Sequence, residues 1–115
     1  MKKMQQEVFD GEKLSRLMEK LPKGKPRIDA YEEAIRLADQ TQDTYWRLGF
    51  RFHYAGEVYF QDDPPKCIGA AAEFGPIFEA APPEIQRNRD LIAAYLMITT
   101  LGVDVMQNLP KLSMS

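Results

Sequence analysis

Cysteine is almost missing from this chain: Cys67 stands alone. An intrachain disulfide is therefore excluded, and a reducing compartment is expected. Histidine and tryptophan are as scarce, with one His53 and one Trp46. Ligand pairs such as His-x3-His or Cys-x2-Cys cannot be assembled from them, so neither a metal nor a cofactor is expected. Gly49, Gly56 and Gly69 are isolated, which reads as close helix packing and not as a phosphate-cradling loop. A basic excess is lacking too. The formal charge of -2 and the pI near 5.4 argue against nucleic acid as a partner. Lys20, Lys23, Lys25 and Arg27 do cluster, but in a Pro/Gly loop, and read as a solvated connector. The longest apolar run, Leu91 to Ile98, falls short of the about 20 residues of a membrane span. The opening MKKMQQEVFDGEK has no apolar run of the signal-peptide kind. The expectation is a cytoplasmic protein with no membrane and no nucleic-acid partner.

Alternating runs of strand length are also missing, and what is present is helical periodicity. At 115 residues, 44% hydrophobic and 28% charged, the chain reads as one globular domain over 1–115. Within it, 1–10 forms an N-terminal segment in which Val8 and Phe9 can anchor. Helices occupy 11–107, and 108–115, with Pro110, reads as an irregular tail. The fold class is all-α, with about five helices.

The first helix runs from Gly11 or Glu12 to about Lys20, capped by Asp10, with an apolar stripe of Leu14, Leu17, Met18 and Leu21. Pro22, Gly24 and Pro26 end it. The second covers about Arg27 to Gln40. The third, Thr44 to Phe60, follows a short connection with Asp43 or Thr41 as cap, so the two pack antiparallel. The fourth covers about Pro65 to Ala80, with a bend expected at Pro76. The fifth starts at Pro83 or Glu84 and is apolar nearly all round from Leu91 to Val105, more than one neighbour needs.

The chain also repeats itself at an offset of 40. Ile28, Ala30, Ala34 and Leu37 fall opposite Ile68, Ala70, Phe74 and Ile77, and Phe52 and Ala55 fall opposite Ile92 and Tyr95. Tyr45-x2-Leu48-Gly49-x2-Phe52, then Ala70-x3-Phe74 and Pro82, resemble the first-helix and second-helix patterns of tetratricopeptide repeats. Tyr31 to Asp43 resembles the end of a preceding repeat. The resemblance covers roughly 28–107. It departs from the family in a longer span from Tyr45 to Pro82 and in Ile77, where a small residue is usual. It implies antiparallel helix hairpins stacked as a short α-solenoid, in a whole protein or a piece of a longer repeat protein.

The third helix is the focus of function. Tyr45, Leu48, Phe52, Ala55 and Tyr59 share one face, and Trp46, Phe50 and His53 another. The resemblance implies that Tyr45, Leu48, Gly49 and Phe52 hold the repeat core. It implies that Trp46, Phe50, His53 and Tyr54, with Gln86 and Asp90 of the fifth helix, line a groove for a protein or peptide. Trp46 and Phe50 stand where the polar clamp for a C-terminal carboxylate would be needed, so that ligand is not expected. The competing arrangement has the N-terminal helix folding back over Trp46 and Phe50, which makes them core. Arg47 and Arg51, one turn apart, either meet an acidic group or pair with nearby acids. The expected function is a non-catalytic interaction module, with self-association or further repeats through helix 84–107. The alternatives are a structural repeat segment with no ligand of its own, or a small catalytic or metal site using His53 and Cys67 with Asp62 or Asp63. The catalytic case requires His53 and Cys67 within hydrogen-bond reach.

Overall fold

The structure is a computed structural model that describes residues 9–114, with side chains for 9–108. Six helices follow one another: α1 Gly11–Glu19, α2 Lys25–Thr41, α3 Thr44–Phe60, α4 Pro64–Glu79, α5 Pro83–Gln86 and α6 Arg89–Met114. No strand occurs among the described residues, so the chain is all-α. Of the N-terminal segment, residues up to Val8 lie outside the described residues, while Phe9 packs edge-on against Phe50, ring centroids 6.5 Å apart.

Short polar side chains set the helix starts. Asp10, Asp43 and Asp63 each accept a hydrogen bond from the backbone N–H three residues on, the cap geometry that satisfies an orphan donor. α2 begins at Lys25, two residues before its expected start, because Pro26 sits in a first turn where no N–H is needed. α4 runs unbroken to Glu79 with Pro76 near its end. The fifth helix of the sequence reading is two. Pro83 opens the single turn of α5, after which Gln86 folds back and donates from Nε2 to the carbonyls of Phe78 and Glu79. Asn88 then starts α6 by accepting from Leu91 N–H at 3.1 Å. The expected irregular tail is corrected as well: α6 spans Pro110 and continues to Met114.

α1 packs on α2, α2 on α3 and α3 on α4, and α6 packs on both α4 and α3, with the single turn of α5 between. Three apolar clusters result. One joins Leu48 and Ala55 to Phe74, Leu91 and Ile98. A second joins Met18, Tyr31, Ala34 and Ala38 to Phe50. A third gathers Ile28, Val58, Cys67 and Val105. α3 contributes to all three, with Leu48, Phe50, Ala55 and Val58 fully buried.

Arg51 is buried as well, and it ties three helices together. Its guanidinium donates twice to Asp39 of α2 and once to Glu73 of α4, each at 2.9 Å, and also to the Arg47 carbonyl at 3.3 Å. Arg47 adds a bond from Nε to Asp39 at 2.9 Å. These donors hold the Asp39 carboxyl below its ordinary range, the Arg51 bond being the largest cause. Of the two readings of the arginine pair, the internal one is what the fold uses.

α6 has a stretch, Arg89–Asn108, that is long and apolar enough by length and composition to cross a membrane. Counting the apolar run only to Ile98 understates it, because Thr99, Thr100 and Gly102 cost little on a hydropathy scale. The helix nonetheless buries Leu91, Ala94, Ile98 and Val105 in the domain core.

Candidate functional site

The six residues expected to line one groove do not come together. Phe50 is fully buried between α1 and α2, with Met18 and Tyr31 against it, so it offers no surface to a partner. Trp46 is half-buried. Its ring lies 4.9 Å from that of Phe50 and 5.0 Å from that of Tyr45, and α1 starts on top of it. Gly11 makes this approach possible: a Cβ there would fall 2.3 Å from the indole. The N-terminal helix thus covers this face, the competing arrangement. Trp46 and Phe50 went to the core because a lone amphipathic α1, with Leu14 and Met18 on its stripe, needed an apolar surface to sit on.

Tyr54 points toward α2 and α4, where its hydroxyl donates to Glu32 at 2.7 Å and Lys66 meets the same carboxylate at 3.2 Å. Burial, followed by that carboxylate, raises its pKa. Gln86 caps the end of α4, and Asp90 is an exposed acid in the first turn of α6.

His53 does reach a concave surface. Its ring stacks on Tyr31, centroids 6.0 Å apart and planes 15° apart, and meets Phe52 at 5.3 Å. The residue nonetheless stays exposed to solvent on its groove side. The apolar packing lowers its pKa by desolvation, against the opposing field of Glu19. The shift favours the neutral imidazole, which has one donor and one acceptor nitrogen.

The concavity beside it has a volume of about 440 Å³ and lies between α3, α6 and the loop from α1 to α2. Phe52 and Phe60 of α3 and Met97 and Leu101 of α6 form its apolar lining. Phe60 is 82% exposed and Met97 57% exposed. Lys23 and Arg27 stand at its rim. Arg27 is engaged already: Nη2 donates to the Glu19 and Leu21 carbonyls at 2.9 and 2.7 Å, and Nη1 lies 3.7 Å from Glu57. Gly24, at φ 96°, holds the loop in place by donating its N–H to Glu57 at 3.3 Å. Lys23 is exposed and belongs to the loop read as a connector. Sequence reasoning therefore missed Lys23, Phe60, Met97 and Leu101. A large aromatic at the last position of an otherwise well-buried helix was the available signal for Phe60.

A second concavity, about 510 Å³, lies between the end of α3 and α6, beside Tyr59, Asp62, Asp104 and Asn108, with Cys67 at its base. Three of its polar residues bond to one another. Tyr59 donates to Asp104 at 2.8 Å, and Asn108 donates to the Asp104 carbonyl at 2.8 Å. The Cys67 thiol is buried, which raises its pKa, and Asp104 adds to that. Buried thiols of this kind are poor nucleophiles. His53 and Cys67 line different concavities, and no hydrogen bond joins them among the described residues. The catalytic pairing is not assembled. Among the described residues, no three His, Cys, Asp or Glu side chains are grouped to hold a metal ion.

No family model, no curated protein and no solved structure matches the chain.

Proposed function

We propose that the chain is a protein-interaction module whose α3–α6 groove takes one or two large apolar side chains from a partner segment, with an acidic residue of that segment meeting Lys23. The observation that carries this reading is the joint exposure of Phe60 and Met97 over one concavity of about 440 Å³. That volume suits a few side chains and not a whole helix. Burying Phe60 and Met97 supplies affinity at roughly 25 cal/mol per Å² before the costs of ordering the partner. Lys23 supplies charge preference, and the neutral His53 supplies a hydrogen bond to the partner's backbone.

The module is read as tetratricopeptide-like. Supporting this is the contact order, in which α2, α3, α4 and α6 pack serially while α3 also touches α6. One offset-40 pair supports it as well: Ala34 and Phe74, in corresponding positions of α2 and α4, are both buried. The structural-segment alternative draws on the burial of Phe50 beneath α1, and so concerns that face alone.

A displayed peptide library tests the groove. The wild type is expected to enrich segments pairing apolar anchors with an acidic neighbour, and Phe60→Asp to lose them. Enrichment of the same segments by Phe60→Asp, with unchanged helicity, removes the groove from the proposal.

A further inference from the structure

α1 rests on the fold by its apolar stripe alone for most of its length. Its nine residues lie over an aromatic cleft made by Tyr31 of α2 and by Trp46 and Phe50 of α3. Gly11 sits against the indole, Leu14 is half-buried, and Met18, 4% exposed, is the one large side chain of α1 that the cleft encloses. Leu17 stays 49% exposed. Among the described residues, nothing polar fastens this part of the helix to the cleft. Asp10 accepts from Lys13 N–H and Arg16 pairs with Glu12, both within α1 and its cap. The polar ties come at the far end, where Arg27 Nη2 donates to the Glu19 and Leu21 carbonyls. Beside that clasp Arg27 Nε is buried with no hydrogen-bond partner among the described residues, a cost that opening to water relieves. Nine residues are also fewer than the roughly 12–15 an isolated helix needs in water. α1 is thus a short cover, held by apolar contact and hinged at one end by the loop through Pro22 and Gly24.

We infer that α1 is an autoinhibitory cover: it occupies a second binding cleft, which takes an amphipathic helix of a partner protein when α1 lifts. α1 itself displays the chemistry the cleft accepts. That is a small residue against Trp46, then Leu three and Met seven residues on, with charge on the outer face as in Glu12, Lys13 and Arg16. A second copy of the chain is the poorer occupant. Exchanging α1 between copies trades each contact for its twin and gains nothing against the freedom lost on pairing. A separate helix does better, because Tyr45 and Trp46 remain half-buried with α1 in place, and a helix of three or four turns reaches over both. The partner meets only the open fraction of the chain, so its apparent affinity is lowered by that fraction. Met18, Trp46 and Phe50 do not line the α3–α6 groove, so the two surfaces can be loaded separately.

Met18→Glu in the full chain opens the cover, since a carboxylate is not held at a buried apolar site. Its Trp46 emission should shift to the red, with far-ultraviolet circular dichroism losing no more helix than α1 supplies. A synthetic peptide of residues 9–21 should then bind in trans, read by the anisotropy of a label on the peptide, and restore the blue-shifted emission. The wild-type chain should bind that peptide at least about tenfold more weakly, because its own α1 is in place. A Met18→Glu peptide should restore nothing. A Met18→Glu chain that keeps α2–α6 helical yet binds no peptide at about 1 mM overturns the inference. So does equal binding by the two chains. A wild-type dimer that the peptide dissociates gives the cleft to a second copy and overturns the partner helix. Where Met18→Glu fails to fold, hydrogen exchange of the wild type decides. α1 amides should exchange at least about tenfold faster than those of α3, and α1 exchange only through global unfolding overturns the cover.

Discussion

Replacing Arg51 tests how much of this domain rests on one guanidinium. Arg51→Met keeps most of the buried stem and removes three donors, two facing Asp39 and one facing Glu73, all at 2.9 Å. Breaking a wholly buried ion pair from one side costs about 3–5 kcal/mol. That figure does not apply in full here, because the Asp39 and Glu73 side chains are 37% and 60% exposed and can regain water. Arg47 also stays bonded to Asp39. The desolvation cost of the buried guanidinium is recovered as well. The net loss is therefore expected at about 1–2 kcal/mol. Urea unfolding should show a lower midpoint with an unchanged slope, and the melting temperature should fall by roughly 4–8 °C per kcal/mol. Asp39→Asn should couple to Arg51→Met by about 1 kcal/mol in a double-mutant cycle, and Glu73→Gln by less, since Glu73 is the more exposed. If Arg51→Met proves as stable as the wild type, or the Asp39 coupling is zero, the guanidinium is tolerated and does not fasten the helices.

Acid titration gives a related expectation. The Asp39 carboxyl is held low chiefly by Arg51, so its contribution is full above the ordinary carboxylate pKa of about 4 and disappears as pH falls through the lowered folded value. Stability of Arg51→Met should fall less steeply over that acid range than that of the wild type. His53 behaves as a base whose folded pKa is lowered by desolvation. Its contribution is complete above about 6.5 and shrinks as pH falls toward the lowered value, and His53→Gln should remove that part of the pH dependence. Gly11→Ala puts a methyl group into the indole of Trp46. The expected cost is about 1–3 kcal/mol with a red-shifted tryptophan emission as α1 lifts, and an unshifted spectrum at full stability would show that α1 does not sit on that ring. Cys67 should react with a thiol reagent in the folded protein far more slowly than in urea.

The helices were legible because their signals are local. Asp10 and Asp43 mark starts, and α3 has the expected bounds, Thr44–Phe60. What escaped depended on partners distant in sequence. The turn at Arg87 and Asn88 exists because Gln86 reaches back to α4, a contact that periodicity does not encode. The two aromatic faces of α3 were visible as faces, but their burial was decided by α1, whose stripe of Leu14 and Met18 gave no address. Of the six residues expected to line the groove, His53 alone lies in the α3–α6 concavity. Tyr54 went instead to Glu32, because a half-buried phenol seeks an acceptor for its hydroxyl. Phe60 and Met97 meet only through the α3–α6 packing, which joins positions far apart in the chain.

The serial packing of α1 on α2, α2 on α3 and α3 on α4, with α6 closing on α3 and α4, has a kinetic consequence. Contacts close short loops first, so little chain entropy is lost before apolar burial begins, and such topologies fold in microseconds to milliseconds. α3 belongs to all three apolar clusters, and it cannot form its contacts without α2 and α4 beside it. These three helices are the natural folding nucleus. Conservative truncations at Leu48 or Ala34 should then slow folding, whereas truncation at Met18 should mainly speed unfolding, leaving α1 to dock after the barrier has been crossed.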